Sequence, residues 1–166
     1  MRKGGGKGKG NSFERFMSKE LSLWVSNGIR KDLFWRTHSS GAIGTVSKVA
    51  GESGDIMAID DLGRALTKKY NIECRHSKSI HASHLIYGDA NAGFQKFIAE
   101  GVEHSKLGNK KLLGFVKQNR TPVLVVMEWE NWMDWGLVNV LYKGVWAIIQ
   151  WDIFKSKLRP ERLYGI

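Results

Sequence analysis

Gly54-Asp55-Ile56-Met57-Ala58-Ile59 and, after a short polar connection, Tyr70-Asn71-Ile72-Glu73-Cys74-Arg75 decide how this chain is read. Each stretch has the length and apolar content of a short strand. Each also carries an acid that an apolar strand would not select. Alternate side chains of a strand share a face. Glu73 and Arg75 therefore project together, while Ile72 and Cys74 enter the core. If the two strands pair, Asp55 approaches Glu73. Two carboxylates and a cation converging at a sheet edge suit metal-dependent phosphodiester chemistry. A cross-strand ion pair on a solvated face is the other reading of the same spacing.

Upstream, Leu33-Phe34-Trp35-Arg36 is a candidate first strand, and residues 37–44 form a polar loop containing Ser39, Ser40 and Gly41. Before it, Phe13, Phe16, Met17, Leu21, Trp24 and Val25 recur near helical spacing, with Asn11 or Ser12 as cap and Gly28 as stop. Glu14 falls in the first turn of that helix, where an acid also favours the helix dipole. Residues 1–10 alternate glycine with Arg2, Lys3, Lys7 and Lys9 and have nothing to bury. The expected organisation is a flexible basic arm over 1–10 and a single domain over 11–166.

Downstream, residues 61–69 read as a turn or one helical turn, and 68–75 as the third strand. Phe94, Phe97, Ile98 and Val102 mark an amphipathic helix from about Asn91 or Ala92. Leu112, Leu113 and Val116 give the following basic segment a helical stripe, and 123–127 reads as a buried strand. Strand, helix and strand in that order imply an α/β crossover covering one face of a sheet. Trp129, Trp132 and Trp135 suit a core or a subunit interface. Residues 137–154 read as a long apolar helix broken at Gly144. His76, His81 and His84 match no strong zinc spacing.

The chain has 166 residues, enough for one domain with its own core, and a formal net charge of +10. That charge points to a polyanion or an anionic surface as partner. A single cysteine, Cys74, excludes an intrachain disulfide and suits a reducing compartment. No stretch is apolar and long enough to span a membrane, and the basic N-terminus lacks the apolar segment of a secretory signal. The expected location is the cytoplasm, that of the host cell if the source is viral.

Taken together, Glu14 on a first helix, the 36–41 loop, Gly54-Asp55 and Glu73-Cys74-Arg75 resemble the ordered motifs of the PD-(D/E)xK nuclease superfamily. Within it the chain resembles the archaeal Holliday-junction resolvases and their viral relatives. Lys9-Gly10-Asn11-Ser12-Phe13-Glu14-Arg15 is similar to their basic, small-residue, then Phe-Glu-Arg opening. The resemblance implies an α/β fold: a central mixed β-sheet flanked by helices, with a restriction-endonuclease-like core. It implies magnesium or manganese held by Asp55 and Glu73 and supported by Glu14, and a loop serine, Ser39 or Ser40, near the scissile phosphate. Arg15 and Arg36 would contact the DNA backbone, as would Arg2, Lys3, Lys7 and Lys9 of the arm. The partners implied are DNA, a four-way junction in particular, and a second copy of the chain in a homodimer that nicks opposite strands symmetrically.

One residue departs from the pattern. The superfamily normally has lysine where this chain has Arg75. Arginine keeps the charge and grips phosphate bidentately, but it is a poor proton acceptor. Lys78 is the nearest alternative ammonium. The expected activity is metal-dependent hydrolysis of DNA phosphodiesters by a four-way-junction resolvase. The alternatives are another nuclease of the superfamily, of end-processing or restriction type, and a catalytically silent DNA-binding or packaging protein. An RNA-binding structural protein has no module signature here.

Overall fold

Phe13, Met17, Leu21, Trp24 and Val25 are all buried along one side of α1 (Gly5–Val25). Met17 and Leu21 are fully buried, which is worth about 1.5–3 kcal/mol each relative to exposure. The helix ends in a turn where Asn27 (φ 54°) and Gly28 (φ 87°) take the left-handed conformation. The computed structural model describes residues 5–37, 54–78, 80, 92–128, 140–142 and 145–164. The His81, His84, Ser39, Ser40, Trp129, Trp132 and Trp135 expectations lie outside these residues, as do Arg2, Lys3 and the side chain of Lys7.

After α1 the chain forms β1 (Phe34–Arg36), β2 (Ile56–Ala58), α2 (Asp61–Lys69) and β3 (Tyr70–His76). It continues through α3 (Ala92–Leu107), β4 (Lys111–Lys117), β5 (Leu124–Glu128), β6 (Val140–Tyr142) and β7 (Trp146–Gln150). It then forms α4 (Trp151–Lys157) and α5 (Pro160–Tyr164). The described strands make one mixed sheet in the order β1-β2-β3-β4-β5-β7-β6. β3 and β4 are parallel, joined by the α3 crossover, and the other neighbours pair antiparallel. The fold is thus α/β with a central mixed sheet flanked by helices, consistent with a restriction-endonuclease-like core.

The sheet has a large and a small apolar cluster. The large one joins α1, α2 and α4 to Tyr70, Ile72 and Cys74 of β3 and to Leu113 and Phe115 of β4. The small one joins Phe94, Phe97 and Ile98 of α3 to Val116, Val126 and Ile148. β3 therefore alternates as its sequence predicts, Ile72 and Cys74 on the α1 side and Glu73 and Arg75 toward α3.

Several expectations are corrected. α1 begins at Gly5, so residues 5–10, expected within a flexible arm, are helical. Ser12 lies inside the helix, its hydroxyl donating to the Gly8 carbonyl (2.8 Å), and does not cap it. Glu14 consequently sits well inside the helix, beyond the first turn where the dipole acts. Residues 61–69, expected as a turn or one helical turn, form a longer helix of nine residues, which the Asp60 carboxylate caps by accepting from the Leu62 N–H (3.0 Å). Residues 111–117 are a strand, not a helix. β4 is buried on both faces, so its apolar residues run continuously and do not alternate. The described residues of 137–154 likewise form strands and the start of a helix, with β7 packed against β5 and Trp151 buried in α4.

Candidate active site

Two local features place Asp55. Gly54 has φ +117°, a conformation that favours glycine, and an added Cβ would lie 2.6 Å from Asn71 Oδ1 and 2.7 Å from the Ile72 carbonyl. Thr37 holds the same turn from the other side: its hydroxyl donates to the Gly54 carbonyl (2.6 Å) and its N–H to the Asp55 carbonyl (2.9 Å). The Asp55 N–H then donates to the Ile72 carbonyl (2.8 Å), which brings the acid onto β3. Asp55 Oδ2 accepts the Cys74 N–H at 2.9 Å. The β2–β3 pairing (Ile56 opposite Ile72) thus delivers the predicted approach of Asp55 to Glu73.

Glu73 points toward α3 with its side chain 12% exposed. Its Oε1 accepts from Asn71 Nδ2 at 2.9 Å and lies 2.9 Å from His104 Nδ1. An ionised carboxylate only accepts, so in that state Nδ1 carries the ring proton. α3 comes this close because Gly101 has no side chain: a Cβ there would meet Leu112 Cδ1 at 2.8 Å and Glu73 Cγ at 3.5 Å. Sequence reasoning missed Asn71 and His104. Asn71 was detectable by strand period, two residues before Glu73 on the same face. His104 and Glu100 are one helical turn apart on α3, next to the apolar stripe that identified the helix.

The two acids perturb each other. Burial raises the Asp55 carboxyl, against the Cys74 N–H, the Arg75 charge and a hydrogen bond with Glu73. Burial also raises Glu73, the Asp55 charge adds to this, and the His104 and Asn71 hydrogen bonds oppose it. The pair therefore titrates as a unit. Asn71 Oδ1 is buried with no hydrogen-bond partner among the described residues. Each of these features is one that a bound cation would relieve.

Glu14 is settled differently. Its carboxylate accepts from Arg36 Nε at 3.0 Å, with both side chains largely buried, and Arg36 Nη2 also donates to Asn11 (3.2 Å). Burial raises Glu14, as does the Asp55 charge, while Arg36 opposes both. Among the described residues no group of three or more His, Cys, Asp or Glu side chains is arranged to hold a metal. Asp55 and Glu73 are brought together, with Glu14 within electrostatic range of Asp55. Magnesium is commonly bound through one or two carboxylates plus substrate phosphate rather than by an all-protein cage. Two hard-oxygen donors beside an orphaned amide oxygen fit such an ion.

Arg75 lies beside the pair, about half exposed, and donates through Nη2 to Glu100 Oε2 at 2.8 Å. It also stands over the Phe97 ring, 6.0 Å from the centroid. Arg15 and Lys78 are exposed, as is Lys9 near the start of α1. Arg36, expected on the DNA backbone, bonds to Glu14 and Asn11 within the protein.

None of the described helices is long and apolar enough to cross a membrane. No curated protein and no solved structure matches the chain. Residues 5–159, nearly the whole chain and both halves of the site, match the family described as "Phage putative PDDEXK endonuclease". The match carries the superfamily resemblance and makes no link to the Holliday-junction resolvases. Arrangement and match agree: the chain belongs to this phage family of PD-(D/E)xK endonucleases.

Proposed function

We propose that the protein is a divalent-metal-dependent DNA endonuclease that hydrolyses phosphodiesters at Asp55 and Glu73. The observation that carries this reading is the desolvated carboxylate pair, assembled where Asp55, immediately before β2, meets β3, in the order that the sequence resemblance to the superfamily implies. Asp55 and Glu73 would hold magnesium or manganese, with Glu14 as an outer acid. Bound there, the ion would lower the pKa of an attacking water and neutralise charge developing on the phosphate.

The protein's own groups divide the remaining work. The Cys74 N–H fixes one Asp55 oxygen, and Asn71 and His104 fix one Glu73 oxygen; the ion would replace the hydrogen bond between the two acids and take up their remaining oxygens. Arg75 supplies a positive charge that a phosphate can share once it competes with Glu100. Arginine orients and neutralises but does not accept a proton. The net charge of +10, with Lys9, Arg15 and Lys78 exposed, supplies salt-sensitive affinity for DNA. Ser39 or Ser40 near the scissile phosphate, and Arg2, Lys3 and Lys7 on the backbone, remain part of the proposal.

The test is cutting of supercoiled plasmid, linear duplex, single strand and a four-way junction, with magnesium and with chelator. Metal-dependent nicking that Asp55→Asn abolishes is the expected result. Symmetric nicks confined to the junction would select a homodimeric resolvase, whereas cutting of all duplexes would select an end-processing or restriction-type enzyme. DNA binding with no cutting in any arm would replace the enzyme with a catalytically silent DNA-binding protein.

A further inference from the structure

We infer that a groove between α1 and the carboxyl ends of β3 and β4 receives one unpaired nucleotide of a DNA strand. Its base would lie against Phe16 and its phosphate beside Lys9 and Lys117. The choice of DNA rests on the function proposed above; the site itself rests on other residues.

The groove has a volume of about 590 Å³, and Lys9, Ser12, Phe13, Phe16, His76 and Lys117 are among the residues lining it. That is ample for a nucleotide, since small-molecule sites run to roughly 300–1,000 Å³. Its position is one where ligands bind. β3 and β4 are the parallel pair, and their last residues, His76 and Lys117, are register partners. In open α/β sheets ligands bind beyond the carboxyl ends of such strands.

The chemistry selects the occupant. Phe13 is buried and meets the His76 ring edge-on at 5.8 Å. Phe16 stacks beside Phe13 at 6.4 Å yet is 43% exposed, unlike the rest of the apolar stripe of α1. Lys117 Nζ stands 5.4 Å from the centre of the Phe16 ring. An exposed aromatic ring beside lysines offers a π surface for a base and a charge for its phosphate. A duplex would use the lysines only, because its bases stay stacked on one another. An unpaired nucleotide uses both.

The groove and the acids are close in the chain. Phe13 precedes Glu14 in the chain, and His76 is three residues beyond Glu73, ~10 Å along the strand. His76 and Phe13 lie on the α1 face of β3 and Glu73 projects from the opposite face, so a strand held in the groove would have to pass the ends of β3 and β4 to meet the carboxylate pair.

The test is fluorescence anisotropy with a labelled oligothymidine and a blunt duplex of equal length, in chelator so that nothing is cut. Phe16→Ala should weaken single-strand affinity by about tenfold, Phe16→Trp should restore it, and duplex affinity should stay the same. Lys117→Met should weaken binding and reduce the salt slope by about 1. An oligonucleotide carrying 2-aminopurine should show quenching that Phe16→Ala removes. Thermal melts establish that each variant is folded. Single-strand affinity within twofold of wild type for both Phe16→Ala and Lys117→Met would overturn the inference, as would equal losses on both polymers for Phe16→Ala. Loss of binding in the variants of a protein that cuts no DNA would leave the groove standing and remove the nuclease. Cutting with unaltered binding would do the reverse.

Discussion

Glu14 and Glu73 are both buried acids raised above the ordinary carboxylate range, yet the protein satisfies them in opposite ways. Glu14, on the α1 side, has a full cationic partner in Arg36 at 3.0 Å. Glu73, on the α3 side, has an amide and an imidazole as donors and an acid, Asp55, as neighbour. The nearby guanidinium of Arg75 is taken by Glu100. An acid whose charge is already neutralised contributes to the fold. An acid given donors but little opposite charge keeps its capacity to bind a cation. On the proposed function, the difference separates an outer, salt-bridged acid from one that would hold the ion, where sequence order alone treats them alike.

The largest test of this contrast is activity. Asp55→Asn and Glu73→Gln should each lower metal-dependent cleavage by at least about a thousandfold. Glu14→Gln should lower it far less, and a rate assay on one DNA substrate compares all three.

Asn71→Ala and His104→Ala should weaken magnesium or manganese binding by about 10–100-fold, the usual cost of losing a partner that orients a ligand. Isothermal titration calorimetry reads this without any turnover. Unchanged metal affinity in both variants would remove Glu73 Oε1 as a held atom.

Stability should split the two acids in sign. Glu14→Gln leaves Arg36 buried without its counter-charge and should cost about 2 kcal/mol, roughly 4–8 °C in Tm for a chain of this size. Asp55→Asn should raise Tm by a few degrees in chelator, because it removes a repelling charge. A fall in both would erase the contrast.

The smallest effect concerns pH. Asp55 and Glu73 are raised in the folded state, so folding takes up protons. Below about pH 4, the ordinary carboxylate value, both states are protonated and no penalty applies. The penalty grows as pH climbs from there through the raised folded values. Wild-type stability in chelator should therefore fall over that interval more than that of Asp55→Asn, and saturating magnesium should reduce the loss.

Strand alternation made β3 legible, because one face of it is apolar and the other carries Asn71, Glu73 and Arg75. The Asp55–Glu73 approach followed, since antiparallel pairing of two short strands leaves few registers. β4 and β7 were not legible. Both lie within the sheet and are buried on both faces, so Leu112 to Val116 and Ala147 to Ile149 lack the period that distinguishes strand from helix. The partners of Glu73 were hidden for another reason. His104 is 31 residues away, and only the crossover geometry of α3 brings it back. Arg36 reads as a DNA contact in sequence and as the counter-ion of Glu14 in space.

Cys74 sits between the two motif residues Glu73 and Arg75, contributes its N–H to Asp55 and buries its thiol. Burial, then the charges of Asp55, Glu14 and Glu73, push that thiol well above its ordinary range. A thiol held so is unreactive until the strand opens. As the chain's one cysteine it is also an intrinsic clock. Its rate of labelling by a thiol reagent reports how often β3 separates from its surroundings. If magnesium binds as proposed, it should slow that rate, and the slowing would measure how far the ion stiffens β3 around Cys74.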